Sequence, residues 1–175
     1  RESNAGCFSG YRLMKKLQVF TTGGTVDKVY FDALSEFQIG DPVVGGILES
    51  MNVGFEFCVD ELMRLDSLDM TDLHRQTIQQ RVRDADAEHI LIMHGTDGMV
   101  ETAGWLDNIA HKKVILTGAM QPAAFTNTDA VFNIGCAVGA IQRVEAGVYI
   151  AMNGQVFAAD QVVKNRDAHR FEPVG

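Results

Sequence analysis

At 175 residues, 46% of them apolar and 22% charged, the chain is long enough for one compact domain and too apolar for wholesale disorder. A formal charge of −8 argues against a nucleic-acid interface or an anionic membrane surface, since both need clustered Lys and Arg. No run approaches the ~20 apolar residues of a membrane span, and the opening residues hold no apolar stretch of the signal-peptide kind.

Arg1 to Leu13 reads as a flexible leader or a cloning remnant, and residues 14–175 as a single domain starting at Met14-Lys15-Lys16. The three cysteines, Cys7, Cys58 and Cys136, are odd in number and lack any zinc-binding spacing. Cys58 and Cys136 lie in apolar runs and read as small buried thiols. A reducing cytoplasm suits that pattern.

Strands and helices alternate along the chain. LQVFTT (17–22) is a short apolar, β-branched run halted by Gly23-Gly24, a buried strand ending in a glycine turn. Asp41-Pro42 opens VVGGILESM, where Asp41 can cap a helix and Pro42 suits its first turn. GFEFCVDEL (54–62) sets Phe55, Phe57 and Val59 against Glu56, Cys58 and Asp60, the alternation of a second strand. Thr71 begins the helix DLHRQTIQQRVRDA, whose Leu73, Ile78 and Val82 are expected to face a core. Strand HILIM (89–93), helix MVETAGWLDNIA (99–110), strand KVILTG (113–118), helix DAVFNIGCAVGAIQRVEA (129–146) and strand GVYIAM (147–152) follow.

Several strands are continuously apolar, which signals burial on both faces by covering helices. The expected fold is therefore α/β: a doubly wound, mostly parallel sheet of the flavodoxin or Rossmann kind, in one domain. Right-handed crossovers place every strand-to-helix loop at the carboxyl edge of such a sheet. TTGGTVDKVYFD (21–32), RLDSLDM (64–70), HGTDG (94–98) and TGAMQP (117–122) are those loops. The topology alone gathers Thr25, Ser67, Thr96, Asp97 and Ala119.

Each loop also has a plain structural reading. Gly-Gly-Thr lacks the P-loop lysine and the GxGxxG spacing, which counts against nucleotide binding. HGTD can be an ordinary turn. His94 reads as a strand-end hydrogen-bonding group, and Ser67 with Asp66 and Asp69 as a capping cluster.

Their joint order is more specific, and it resembles the bacterial-type L-asparaginase family from about Leu17 to Lys164. TTGGTV is similar to the family's TGGTI nucleophile loop and HGTDGMVET to HGTDTxxET. VILTGAMQP and TDAVFNI resemble its VGAMRP and DGPxNL segments. SLDM resembles SQDM, and MNGQVFAADQVVK resembles the segment that ends in the catalytic lysine. The resemblance implies Thr25 as nucleophile and Tyr30 as its paired tyrosine. It also implies a second group of Thr96, Asp97 and Lys164, with Ser67 and Asp97 holding the substrate's α-carboxylate and α-amino ends.

The implied activity is hydrolysis of L-asparagine to L-aspartate and ammonia, with no cofactor and no metal. A threonine hydroxyl needs a neighbour to take its proton. Tyr30 serves only with positive charge nearby to favour its phenolate, and Lys164 is the obvious cation. The backbone amides of Thr96 and Ala119 are candidate oxyanion donors, each such donor typically worth ~100-fold in turnover. Thr96 could instead position water.

Two departures qualify the resemblance. Longer members continue into a second domain, so a chain ending at Gly175 is expected to be a short form that works as a homo-oligomer. Leu68 stands where the family has glutamine, which removes an amide donor near the substrate's head group. A glutaminase-type amidase, an amidase serving a tRNA-dependent amidotransferase and a non-catalytic amino-acid-binding module remain the alternatives.

Overall fold

The computed structural model describes residues 13–31, 36–109 and 111–175. Apart from Leu13, the expected leader lies outside the described residues, and Cys7 with it.

The first strand, β1 (Lys16–Thr21), lies between β4 (Glu56–Glu61) and β5 (His89–Met93), and β6 (Lys113–Thr117) and β7 (Gly147–Met152) extend the sheet beyond β5. All five are parallel, and β8 (Gln155–Ala158) closes the edge antiparallel to β7. Numbered by their own sequence, the parallel strands run 2-1-3-4-5, the flavodoxin-like order. The order reverses between β1 and β5, and sheets of this kind bind ligands beyond the carboxyl ends of the strands at that reversal.

Continuous apolar strands bury both faces, as expected. Ile90 and Ile92 of β5 join Phe20, Ile78, Val82 and Met99 under α2 (Asp72–Asp84) and α3 (Met99–Trp105). Leu91 and Met93 join Leu17, Val19, Leu48, Ile134 and Ile141 under α1 (Val44–Ser50) and α4 (Ala130–Ile141). Fully burying such a side chain contributes about 1.5–3 kcal/mol. These two layers hold the strand ends, and hence the loops, in fixed register.

Several local expectations are corrected. The N-cap of α1 is Val43, with no side-chain cap, and Asp41 instead pairs with Arg64 at 2.7 Å. Leu73 is exposed, because at 3.6 residues per turn it lies about 140° from Ile78 and opposite Val82. The buried stripe of α2 runs through Arg75, Ile78 and Val82, with Arg75 donating to the Met70 carbonyl and to Glu101. Cys58 is exposed, because on this edge strand it shares the outer face with Glu56 and Asp60; Cys136 is partly buried, and both are free thiols. The helices α3 and α4 end at Trp105 and Ile141, short of the expected 110 and 146.

Two hairpins and an edge strand add to the expected elements: β2 (Lys28–Phe31) with β3 (Glu36–Ile39), β9 (Val162–Asn165) with β10 (Arg170–Pro173), and β8. The β7–β8 turn is Asn153-Gly154 with φ of 55° and 75°, the positive pair that two-residue hairpins favour. No helix among the described residues is long and apolar enough to cross a membrane.

Candidate active site

Glycines bring the loops together. After β1 the chain passes through Gly23 (φ 88°) and Gly24 (φ 102°). A Cβ on Gly24 would lie 2.7 Å from Gly95 Cα, and a Cβ on Gly95 would lie 2.6 Å from Ser67 Oγ. The loops following β1, β4 and β5 are thus in contact at a separation that no side chain permits. Thr25 and Thr96 each follow one of the touching glycines, so they occupy neighbouring positions on adjacent loops.

Lys164 enters from β9, where it lies opposite Phe171 of β10. Phe171 is buried in the core, and its amide donates to Asn153 Oδ1, so the hairpin is anchored beside the sheet edge. The Lys164 ammonium donates to Thr96 Oγ1 at 2.8 Å and to Asp97 Oδ1 at 2.9 Å. Arg166 Nε lies 3.4 Å from the same carboxylate oxygen. Thr96 is buried, whereas the Asp97 side chain keeps about a third of its surface (34%) open to a ligand.

Ser67 is buried, and its Oγ accepts from the Gly98 amide at 3.1 Å, joining its loop to the turn after Asp97. Asp66 accepts from the Leu68 amide and from Lys28 at 3.0 Å. Burial alone would raise the Asp66 pKa. The Leu68 amide and Lys28 outweigh it and hold the carboxyl below its ordinary range. Leu68 itself points outward and is 68% exposed.

The loop after β6 packs in from the other side. The His94 amide donates to the Thr117 carbonyl, and the Ala123 amide to the Val26 carbonyl. Asp129 accepts from the amides of Met120 and Gln121, and Asn133 donates to the Gly118 carbonyl. Ala119 is buried in this scaffold. Among the described residues, no backbone carbonyl takes the Thr96 or Ala119 amide.

His94 makes the strand-end hydrogen bond expected of it through Nδ1, while its buried Nε2 has no partner among the described residues. Burial pushes its pKa down to about 4, and the neutral ring donates from Nδ1 to the Gly95 carbonyl at 2.8 Å. Tyr30 stands apart from the expected pairing. It projects from β2, over half exposed, with its ring 5.3 Å from that of Phe37, and no hydrogen bond joins it to Thr25. A recess of about 870 Å³ lined by Leu13, Met14, Val53 and Phe55 lies at the opposite, amino-terminal edge of the sheet, away from all these groups.

Residues 16–172 match the family model described as asparaginase, N-terminal. The chain belongs to the asparaginase family. A glutaminase-asparaginase from Acinetobacter glutaminasificans is 31% identical over 149 residues, which cover 81% of this chain and 43% of that protein. L-asparaginase 2 from Escherichia coli is 30% identical over 185 residues, covering 95% and 52% respectively. The thermostable L-asparaginase from Thermococcus kodakarensis shares the fold, with a TM-score of 0.78 at 24% identity over 91% of this chain and 51% of that one. The chain spans about half the length of the curated relatives it matches.

Within this asparaginase-family site, three supporting residues, Lys28, Asp129 and Asp27, have no part in the sequence reading, and Asp66 figures there only in the capping cluster that its bond from the Leu68 amide bears out. Lys28 and Asp66 form an ion pair between the β2–β3 hairpin and the Ser67 turn. Asp129 shapes the loop that carries Ala119, and Asp27 is a buried carboxylate in the turn that Thr25 begins. Only the last had a readable signal: an acid two residues past a glycine-threonine turn, in a stretch otherwise fit for burial.

Proposed function

We propose that this chain hydrolyses the side-chain amide of L-asparagine, releasing L-aspartate and ammonia. The observation that carries the reading is the Lys164 ammonium bound to both Thr96 Oγ1 and Asp97 Oδ1, beside the turn that begins at Thr25.

In this scheme the Thr25 oxygen attacks the amide carbon as its proton passes to a neighbouring base. Tyr30 is the base to which the family resemblance assigns that proton. The Thr96 and Ala119 amides receive the developing oxyanion. Collapse of the tetrahedral intermediate breaks the C–N bond, and the departing nitrogen takes up a proton and leaves as ammonia. Water activated at Thr96 and Lys164 then cleaves the Thr25 ester, restoring the hydroxyl and freeing aspartate. Ser67 holds the α-carboxylate, and Asp97 the α-ammonium. None of these steps calls for a metal or cofactor.

Glutamine is a second substrate to test, because one relative is named for both activities and Leu68 replaces the family's glutamine. We read the working unit as a homo-oligomer, with the contiguous exposed rings of Tyr30, Phe37 and Phe125 forming an apolar rim that an identical subunit can cover. The free thiols Cys58 and Cys136 fit a reducing cytoplasm.

Ammonia release from asparagine, glutamine and D-asparagine tests the activity, with Thr25→Ala as the companion variant. Expected are turnover on asparagine and a loss of orders of magnitude in the variant with folding intact. Aspartate binding by calorimetry without any ammonia release would make the chain a binding module.

A further inference from the structure

Asp27 is a buried carboxylate that the hydrolytic scheme leaves unused. It closes the 3-10 turn that Thr25 opens and is 3% exposed. Its Oδ1 accepts from the Val43 amide at 2.9 Å, at the head of α1. Its own carbonyl accepts from the Gly40 amide at 2.7 Å, and the carbonyl of Val26, one residue earlier, accepts from the Ala123 amide at 3.0 Å. The turn is therefore held by three hydrogen bonds to two segments, the β3–α1 connection at Gly40 and Val43 and the loop at Ala123. Only one tie runs through a side chain.

We propose that Asp27 is a positioning residue for Thr25, its carboxylate mooring the turn to α1 and so fixing where the threonine hydroxyl points. This rests on the reading of Thr25 as nucleophile. Neutral hydrogen bonds from an asparagine or a serine would hold the same amide without burying a charge, and burying a charge is costly. Burial pushes the Asp27 carboxyl up to about 6, with Glu61 adding to the rise and the Val43 amide and Arg64 opposing it. Arg64 is itself engaged by Glu61 and Asp41, and the adjacent Lys28 by Asp66. The charge strengthens the tie, since a hydrogen bond to an ionised acceptor is roughly twice as strong as a neutral one.

The test compares the parent chain with Asp27→Asn and Asp27→Ala, measuring kcat and KM for asparagine between about pH 5 and pH 8. The parent's kcat is expected to fall as the pH drops through about 6, where the carboxyl takes a proton. Asp27→Asn keeps a neutral acceptor, so its kcat should be flat over that span and close to the parent's acid-side level. Asp27→Ala should lose about tenfold or more in kcat at the alkaline end, with KM little changed, because misplacement of a reacting group acts on the chemical step.

Hydrogen–deuterium exchange over residues 24–43 gives a readout that does not depend on turnover. Faster exchange in Asp27→Ala, largely restored in Asp27→Asn, supports the mooring. Parent-like kcat and exchange in Asp27→Ala would overturn the proposal, as would a loss confined to KM. An active Thr25→Ala would instead remove the nucleophile reading and with it any catalytic role for Asp27, leaving the exchange result to report the mooring alone.

Discussion

The buried charge at Asp27 also makes a thermodynamic prediction. Its ordinary pKa is 3.8, and in the folded chain the carboxyl is raised to about 6. Between those values the native state holds a proton that the unfolded chain has released, so stability falls as the pH rises. Below 3.8 both states are protonated and Asp27 is neutral to stability; above about 6 both are ionised and the full penalty applies. At about 1.4 kcal/mol for each tenfold change, a rise of this size costs about 3 kcal/mol. Asn cannot ionise, so Asp27→Asn should gain about 3 kcal/mol over the parent between acid and neutral pH, whatever its constant offset. For a chain of this length that is a differential Tm shift of about 6–12 °C. Urea unfolding of both proteins from about pH 4 to about pH 8, plotted as the difference in free energy, would show a single rise centred between the two pKa values. A flat difference curve would refute the reasoning, because it would mean that burial leaves this carboxyl unperturbed. A variant that is more stable and yet slower would fit a site that trades stability for placement.

Three further outcomes follow from the geometry. Gly24→Ala forces a side chain into φ 102° and sets its Cβ 2.7 Å from Gly95 Cα, so it should cost about 2 kcal/mol or more in urea unfolding and reduce turnover beyond that loss. Leu68→Gln restores an amide donor at an exposed position, so KM for asparagine should fall severalfold while stability stays within about 0.5 kcal/mol. Lys164→Met removes the donor to Thr96 and Asp97, and kcat for ammonia release should drop by about 100-fold or more with the fold retained.

The parallel core was legible in the sequence because its signal is local. HILIM and GVYIAM are bounded by the structure at the same residues that the apolar runs gave, and the crossover rule then assigns the loops to one edge. The β2–β3 and β9–β10 hairpins were not legible, because KVYF and VVKN are too short to show a period. Asn153-Gly154 carried a hairpin signal, but the segment was read for its lysine rather than for its turn. Leu73 is apolar but lies off the face shared by Ile78 and Val82, and the buried position there belongs to Arg75, whose charge conceals it from an apolar pattern. At the site, the Lys164 contacts with Thr96 and Asp97 agree with the grouping that the motifs suggested. Tyr30 packs its ring against Phe37 with no hydrogen bond to Thr25, and its placement depends on a hairpin that local pattern cannot position.

Glycine placement explains why these loops lie together at one edge of the sheet. Thr25, Thr96 and Ala119 each follow a glycine whose missing Cβ would strike another loop: Gly24 against Gly95, Gly95 against Ser67, and Gly118 against the His94 carbonyl. Parallel strands lie about 4.8 Å apart, too far for loops that carry side chains at every position to set three small groups around one carbonyl. Removing the Cβ at the crossing points lets the backbones touch, and the residue after each glycine is then the first that can present a hydroxyl or an amide to a ligand. The topology brings these loops to one edge, and the glycines close the remaining distance. A ligand seated at the β1–β5 reversal would therefore face loops that touch one another at these glycines. Displacement of any one of them by about 1 Å costs on the order of 100-fold in rate. On the proposed reading of Thr25 as nucleophile, that sensitivity is the reason to test Asp27, whose carboxylate holds the Val43 amide, alongside the groups that would meet the substrate.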